Sequence, residues 1–238
     1  GADPAEVLAE VGIDPKLFND PNQLISHAAR GRLIRHCVAR TGCAHFGLLV
    51  GQRAGLRSLG LLGLLAKYES DVGAALRNLV RFLHLHGRGA GVTLTVDGDT
   101  ARLTYEMLEP GIEATDQIGD GALAILFNIL RALCGPEWRP VAVHFAHRRP
   151  PDLSPFQRFF GAPLQFDEEH HRLEFAADWL RRPLSEADPE LRLLLLERAN
   201  ALTQGHREDL PAQVRAILHP ALLAGRCPAD RVAALLAL

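Results

Sequence analysis

The chemically versatile residues of this 238-residue chain are its eleven histidines and four cysteines. Imidazole rings bind metal ions and transfer protons near neutral pH when several such groups converge. His84 and His86 lie two residues apart on a predicted helix, which directs their side chains about 200° apart around its axis. His144 and His147 have opposite parity on a predicted strand, so their side chains diverge unless the strand ends between them. These spacings predict no metal site.

The other motifs do not predict catalysis. The glycine-rich run at 87–91 follows a helix and precedes a strand, whereas a phosphate-binding loop follows a strand and opens a helix. The chain contains no G-x-S-x-G elbow, no H-E-x-x-H helix and no paired-carboxylate signature. Four cysteines form no C-x-x-C unit, which is typical of free thiols in a reducing compartment: Cys37, Cys43, Cys134 and Cys227. We therefore predict that the protein is not an enzyme and has no catalytic residue and no cofactor.

Composition indicates a globular chain. Lys and Arg total 26 against 28 Asp and Glu, which gives a net charge of −2, and 47% of the residues are hydrophobic. That apolar content excludes disorder as the main state, and the neutral balance argues against a surface that wraps nucleic acid. The apolar stretch at 121–130 is shorter than the ~20 residues that span a bilayer. With no signal peptide recognised, we expect a cytoplasmic protein without a membrane partner.

The elements that would position these residues follow from periodicity. The first ninety residues predict helices, ending in one from Val72 to about His86. Alternation at 91–108 predicts a hairpin turning at Gly98-Asp99, which pairs Val96 with Ala101, Leu94 with Leu103 and Val92 with Tyr105. Residues 122–135 predict a buried helix, 141–146 a strand, and 154–161 a short helix capped by Ser154.

A second hairpin is predicted where Leu164 and Phe166 precede a turn and Leu173 and Phe175 follow it. Helices then run to the end of the chain: a short one is predicted at 178–184, and the next is started by Asp188-Pro189. Because the strands alternate in polarity, we predict the α+β class, with antiparallel β-hairpins covered by helices and followed by a helical C-terminal segment.

Short motifs in a fixed order extend across most of the chain. Upstream they are Thr41-Gly42, Phe46-Gly47-Leu48, Gly51, Leu59-Gly60-Leu61-Leu62-Gly63 and Asp71-Val72-Gly73-x-Ala75-Leu76. Within 143–191 they are Val143-x-Phe145-x-His147, Pro151, Phe159-Phe160-Gly161-x-Pro163-x-x-Phe166, Leu173-x-Phe175, Leu180, Pro183-Leu184 and Ala187-Asp188-Pro189. Together they resemble the N-terminal effector domain of AraC-type transcription regulators, in the subgroup conventionally called arabinose-binding.

The resemblance implies a bacterial-type transcription regulator that binds a small effector and controls DNA binding by a C-terminal helix-turn-helix domain. It implies an effector-binding domain at 1–187, a linker or dimerisation helix at 188–208, and the start of a truncated helix-turn-helix domain at 209–238. DNA is then expected as a partner of the full-length protein and not of this fragment. The alternative is an oligomerisation or interaction module with no physiological small-molecule ligand.

Two sets of candidate residues follow. Single polar groups in an apolar cavity orient a ligand, and the candidates are Tyr105 on the apolar face of the hairpin and His84 and His86 on the preceding helix. The predicted helix at 189–204 is apolar over more than half its circumference, with Leu193 and Leu196 off the main stripe. These two leucines are candidates for a homodimer contact, and burial within a single subunit is the alternative.

Overall fold

The computed structural model describes residues 2–20, 23, 25–87 and 89–207, so Cys227 and the predicted helix-turn-helix segment at 209–238 lie outside it. Its α-helices are α1 (Pro4–Glu10), α2 (His27–Thr41), α3 (Phe46–Gln52), α4 (Leu61–Lys67), α5 (Val72–Phe82), α6 (Thr115–Cys134), α7 (Ser154–Phe160) and α8 (Pro189–Arg207). Its strands are β1 (Ala90–Asp97), β2 (Thr100–Met107), β3 (Ala142–His144), β4 (Leu164–Gln165) and β5 (His171–Ala176). Short 3₁₀ turns cover Pro15–Asn19, Leu56–Leu59, Leu83–Leu85 and Ala177–Arg181.

The predicted α+β class is confirmed by one five-stranded sheet of order β1-β2-β5-β3-β4, covered by helices. The first hairpin has the predicted register, with Val96 opposite Ala101, Leu94 opposite Leu103 and Val92 opposite Tyr105. Gly98 has φ 55°, the left-handed value that a two-residue turn requires at its first position. Every second residue of the hairpin therefore faces the helices.

The second predicted hairpin is wrong. β5 pairs antiparallel with both β2 and β3, while β4 lies on the far side of β3 and runs parallel to it. The residues after β4 hydrogen-bond to the end of β3, since the amides of Asp167 and Glu168 donate to the carbonyls of His147 and Phe145. Because of these long-range bonds, the chain crosses the end of β3 and pairs as β5 on its other side, instead of turning back to pair with β4.

Helix α6 is the central helix, and it begins seven residues before its predicted start. Gly119 and Gly121 resemble helix breakers in the sequence, but the fold needs their small size. A Cβ at Gly51 of α3 would lie 2.3 Å from the carbonyl oxygen of Gly121, and one at Gly47 would lie 1.9 Å from that of Gln117. The two helices therefore pack backbone against backbone.

By length and composition, α6 is the one described helix that is able to cross a membrane. In the fold, 72% of its most apolar window is buried inside the protein. Its polar residues also have partners there: the side chain of Gln117 accepts a hydrogen bond from the amide of Gly47 and donates one to the carbonyl of Ala44, both 2.9 Å long. A helix buried to this extent, as α6 is, belongs to the core of the protein.

Side-chain caps begin two of the helices, and one predicted cap is wrong. Asp71 and Asp188 accept hydrogen bonds from the amides of Ala74 and Leu191 at the starts of α5 and α8, as expected of N-caps. At α7 the prediction of Ser154 as the cap is wrong. Ser154 is already helical, and its amide donates instead to the carboxylate of Asp152.

Helix α8 packs chiefly against α4 and extends past the C-terminal end of α5. Successive residues of α8 contact successive residues in and around α5. Arg192 lies near Glu69, which precedes α5, Asn200 accepts a hydrogen bond from Arg81 of α5, and Thr203 lies beside His84, which follows α5. Leu195, Leu196 and Ala199 pack into the main hydrophobic core. The helix is thus part of the domain and runs parallel to α5.

Candidate ligand-binding site

A second apolar cluster adjoins the main core and lies between α2, α6 and the first hairpin, with Val92 and Leu126 packed against both. Its buried members are Ile34, Tyr105, Ile118 and Ala122. Half-buried side chains surround them: Phe46, Ala90, Val92, Met107, Ile112, Ala114 and Leu126. Tyr105 is thereby placed where the sequence predicted it, on the apolar face of the hairpin and inside a cluster bounded by three elements.

Helix α2 covers this cluster and is only lightly docked. Of its fifteen residues, Gly31 and Ile34 alone are buried. The first turns of α2 lie over the loop after β2 and over the start of β1. A Cβ at Gly31 would lie 2.5 Å from the carbonyl oxygen of Glu113, and one at Gly89 would lie 3.5 Å from Cδ2 of His27. Such a helix can lift from the hairpin at a smaller cost in buried apolar area than a core helix.

Arg30 lies on the hairpin-facing side of α2, between His27 and Ile34 along the helix. Its side chain is half-buried, and it makes no hydrogen bond or ion pair with any residue that the structure describes. Burial raises the pKa of Tyr105, and the positive charge of Arg30 opposes that rise. Loss of hydration is the larger cause that lowers the pKa of His86, and the positive charge of Arg30 lowers it further. Arg30 was not identified from the sequence, because helical spacing alone does not show which face of α2 is covered.

The two candidate histidines are not placed as the sequence predicted. Helix α5 ends at Phe82, so His84 lies in the 3₁₀ turn that follows it and His86 at the end of that turn. His84 is directed toward α8, with Nε2 3.4 Å from Oγ1 of Thr203. His86 is exposed, and Arg30 acts on it electrostatically. Of the two, His86 therefore shares a neighbourhood with Tyr105.

A buried polar pair borders the cluster on the other side of α6. Asp120 is 1% exposed, and its Oδ1 lies 2.8 Å from Nε2 of His147, whose Nδ1 lies 2.8 Å from the carbonyl oxygen of Arg148. Burial raises the pKa of Asp120 against the opposing effect of His147. Although burial alone disfavours charge on His147, the hydrogen bond and charge of Asp120 raise its pKa. One proton is thus shared within a nearly dry pair.

His171 connects this pair to Tyr105. Its ring centroid lies 5.8 Å from that of His147 and 6.5 Å from that of Tyr105. Burial, together with the charge of His147, lowers the pKa of His171 to about 4. The ring packs directly on α6, where a Cβ at Gly119 would lie 2.1 Å from Nε2. The sequence offered one signal for this site, a Gly-Asp-Gly unit inside an apolar helix.

The opposite face of the sheet carries a network of charges. β3 ends at His144, so the strand ends between His144 and His147 and the parity argument does not apply to this pair. His144 is buried among polar groups, with Nδ1 3.1 Å from Nη2 of Arg172 and Nε2 3.4 Å from Oε2 of Glu174. Arg102 donates to Glu174 over 2.9 Å. Among the described residues, no group of three or more His, Cys, Asp or Glu is arranged to hold a metal ion.

An open groove of about 570 Å³ lies on the other side of α2, against α1. It is lined by Glu10, Val11, Arg32, Arg35, His36 and Ala39. Glu10 contacts His36 and lies 3.7 Å from Arg40, and Arg35 binds Glu113 over 2.7 Å. Most charges of the groove are therefore satisfied within the protein.

Comparison with known proteins gives a consistent set of relatives. The family described as the arabinose-binding domain of AraC transcription regulators, N-terminal, matches residues 1–184. The HTH-type transcriptional regulator VirS of Mycobacterium tuberculosis is 26% identical over 237 residues, covering 98% of this chain and 69% of VirS. The ornithine utilization regulator of Pseudomonas aeruginosa is 26% identical over 208 residues, covering 87% of this chain and 61% of that protein.

A solved structure shares the fold. The crystal structure of the transcriptional regulator CdpR from Pseudomonas aeruginosa superposes with a TM-score of 0.60 at 19% sequence identity. The match covers 97% of this chain and 72% of CdpR. The chain thus spans between 61% and 72% of the length of these three relatives.

Proposed function

We propose, from the premise that this chain belongs to the AraC family of transcription regulators, that it is the ligand-sensing region of a cytoplasmic, DNA-binding member. A small effector binds between α2 and the first hairpin, and its binding controls a helix-turn-helix domain that begins within 209–238. The protein acts by binding and not by catalysis. The observation that carries this proposal is the second apolar cluster, which contains the buried Tyr105 and is covered by a helix with only two buried residues.

The route from the site to the DNA-binding region runs through the turn before β1. His84 lies in the middle of this short turn and His86 at its end, and His84 contacts Thr203 of α8. Arg81, one turn earlier, donates to Asn200 of α8 over 3.1 Å. A ligand that shifts the turn under α2 therefore shifts α8, which leads toward the DNA-binding segment. This coupling requires that the ligand bind the two positions of the turn with different affinities.

Native mass spectrometry of the purified chain, followed by a thermal-shift screen, tests the proposal. A ligand that binds only the folded state stabilises it by about 2.7 kcal/mol at a concentration of ~100 times its dissociation constant. The Tyr105→Phe variant should reduce that shift, and Tyr68→Phe, the only other tyrosine, is the matched control. An undiminished shift in Tyr105→Phe would remove this tyrosine from the site.

A second candidate function rests on α8. Leu193 is 51% exposed and Leu194 is 63% exposed, so the outer face of the helix presents two adjacent apolar side chains. In a homodimer, two copies of this face pack about a two-fold axis. Leu196, the other residue predicted for the contact, is half-buried against the main core. An oligomerisation module without an effector would show dimers in solution and no stabilisation by any small molecule.

A further inference from the structure

On the basis of the proposed function, we propose that the effector is a small carboxylic acid with an apolar body, and that Arg30 of α2 binds its carboxylate. The effector then lies with its acid group toward α2 and the turn before β1, and with its apolar part against the hairpin. This assignment names the chemical class of the ligand and one residue that selects it.

The first argument is the state of Arg30. Arg30 is a half-buried residue beside an apolar cluster. Arginine packs its aliphatic stem against such a surface and keeps its guanidinium available for an anionic partner. The side chain of Arg30 makes no hydrogen bond or ion pair within the described part of the chain, although the other half-buried arginines of the hairpin and sheet, Arg102 and Arg172, contact Glu174. A planar carboxylate satisfies this fork-shaped donor with two parallel hydrogen bonds.

The second argument is the charge of the surroundings. His27 and His86 lie near Arg30, and neither carries negative charge in any protonation state. Two carboxylates are close: Glu113 binds Arg35 on the adjacent face of α2, and the exposed Glu109 lies beside Gly89. Neither is within ion-pair distance of Arg30. The site therefore has a cation available for an external anion.

The third argument is the apolar lining. Ile34, Val92, Met107, Ile112 and Leu126 surround Tyr105 and provide no charge for a second polar end of a ligand. The hydroxyl of Tyr105 is protonated at neutral pH, as an ordinary phenol is, and burial raises its pKa further. It is therefore able to donate a hydrogen bond to a carboxylate oxygen.

The groove between α1 and α2 is a weaker candidate for the same ligand class. Its acidic residue Glu10 repels an anion, and Arg35 is already bound to Glu113. Arg32 remains as an exposed cation on that face, pointing away from the hairpin. It provides a matched control on the same helix.

Isothermal titration of the 238-residue chain with octanoate and 3-phenylpropanoate, each compared with its primary amide, tests the inference. We expect at least one carboxylate to bind about tenfold more tightly than its amide, because a hydrogen bond to a charged group is stronger than one between neutral groups. Arg30→Gln should weaken carboxylate binding about tenfold or more and weaken amide binding less, so that the preference for the acid over the amide is lost. Arg32→Gln should leave both unchanged. Thermal unfolding of each ligand-free variant verifies that it folds.

Three results would overturn the inference. Equal binding of acids and amides that depends on Tyr105 would place an uncharged ligand in the site, and the proposed sensing function would stand. Equal losses in Arg30→Gln and Arg32→Gln would show general attraction to the basic helix. If neither carboxylate binds, the ligand class is wrong, and native mass spectrometry of the wild-type chain decides separately whether any effector is bound.

Discussion

Arg192 of α8 directs its guanidinium at the buried carboxylate of Glu69, with Nη1 3.8 Å from Oε1. Glu69 is 2% exposed and accepts a hydrogen bond of 2.6 Å from Asn78. Within the described residues, Arg192 is the one cation placed within 4 Å of this carboxylate. Helix α8 thus supplies the counter-charge for a buried carboxylate just before α5.

Replacing Arg192 with Ala is expected to lower the free energy of unfolding by about 1–3 kcal/mol, because it leaves Glu69 buried without a cation. In a chain of this size each kcal/mol corresponds to about 2–4 °C in Tm. Arg198→Ala, exposed on the same helix, is the control and should change Tm by less than about 2 °C. In a Glu69→Gln background the Arg192→Ala effect should shrink, and an undiminished effect would refute the pairing.

The features that the sequence predicted correctly are those that depend on residues close together in the chain. The first hairpin was predicted in register because a two-residue turn and a period of two determine it, and Asp188 was recognised as the start of α8 because it bonds to amides two and three residues ahead. The second hairpin failed because the amide of Glu168 bonds to Phe145, more than twenty residues away.

The polar part of the candidate site was missed for the same reason. Asp120, His147 and His171 come from α6, the end of β3 and the start of β5, and no local pattern relates them. The early start of α6 was missed because glycine destabilises an isolated helix, and its benefit arises only when α3 packs against it. Tyr105 was found because it belongs to the hairpin alternation.

Acidification should destabilise the protein through His171. Its folded-state pKa of about 4 lies below the unfolded value of 6.5, so the folded state keeps this ring neutral. The stability it contributes is present above pH 6.5 and is lost as pH falls toward 4, by on the order of 3 kcal/mol. Urea unfolding at pH 7 and 4.5 should show a smaller loss in His171→Gln than in the wild type. His170→Gln, the preceding residue, is the control and should behave as the wild type.

Raising the pH should also destabilise the protein, through Asp120 and His147. The folded-state pKa of His147 is raised by Asp120, so its contribution is complete below pH 6.5 and is lost as pH rises through the higher folded value. The raised pKa of buried Asp120 acts in the same direction. Unfolding free energy measured from pH 6.5 to 9 should fall less in Asp120→Asn than in the wild type. The exposed Asp116→Asn serves as the control, and an equal slope in all three proteins would contradict the prediction.

Gly47→Ala should prevent or severely weaken folding. The added Cβ would lie 1.9 Å from the carbonyl oxygen of Gln117, which is backbone in the middle of the core and is unable to move aside without separating α3 from α6. We expect a loss of more than about 3 kcal/mol, seen as a lower Tm or as insoluble protein. At Gly87 a Cβ meets no atom within 4 Å, and Gly87→Ala should keep the wild-type Tm within about 2 °C. Equal Tm values for both variants would show that α3 and α6 are not in such close contact.

The two leucines predicted for a dimer contact should respond differently to a charge. Leu193 is exposed, so Leu193→Glu should leave the Tm of the isolated subunit nearly unchanged and convert any dimer into a monomer. Leu196 packs against the main core, so Leu196→Glu buries a carboxylate and should lower Tm at every protein concentration. Light scattering and thermal unfolding of both variants over a range of concentrations separate assembly from folding. If the wild-type chain is a monomer at high micromolar concentration, the dimer contact is absent from this chain, and the difference in Tm between the two variants remains as the test of how α8 docks.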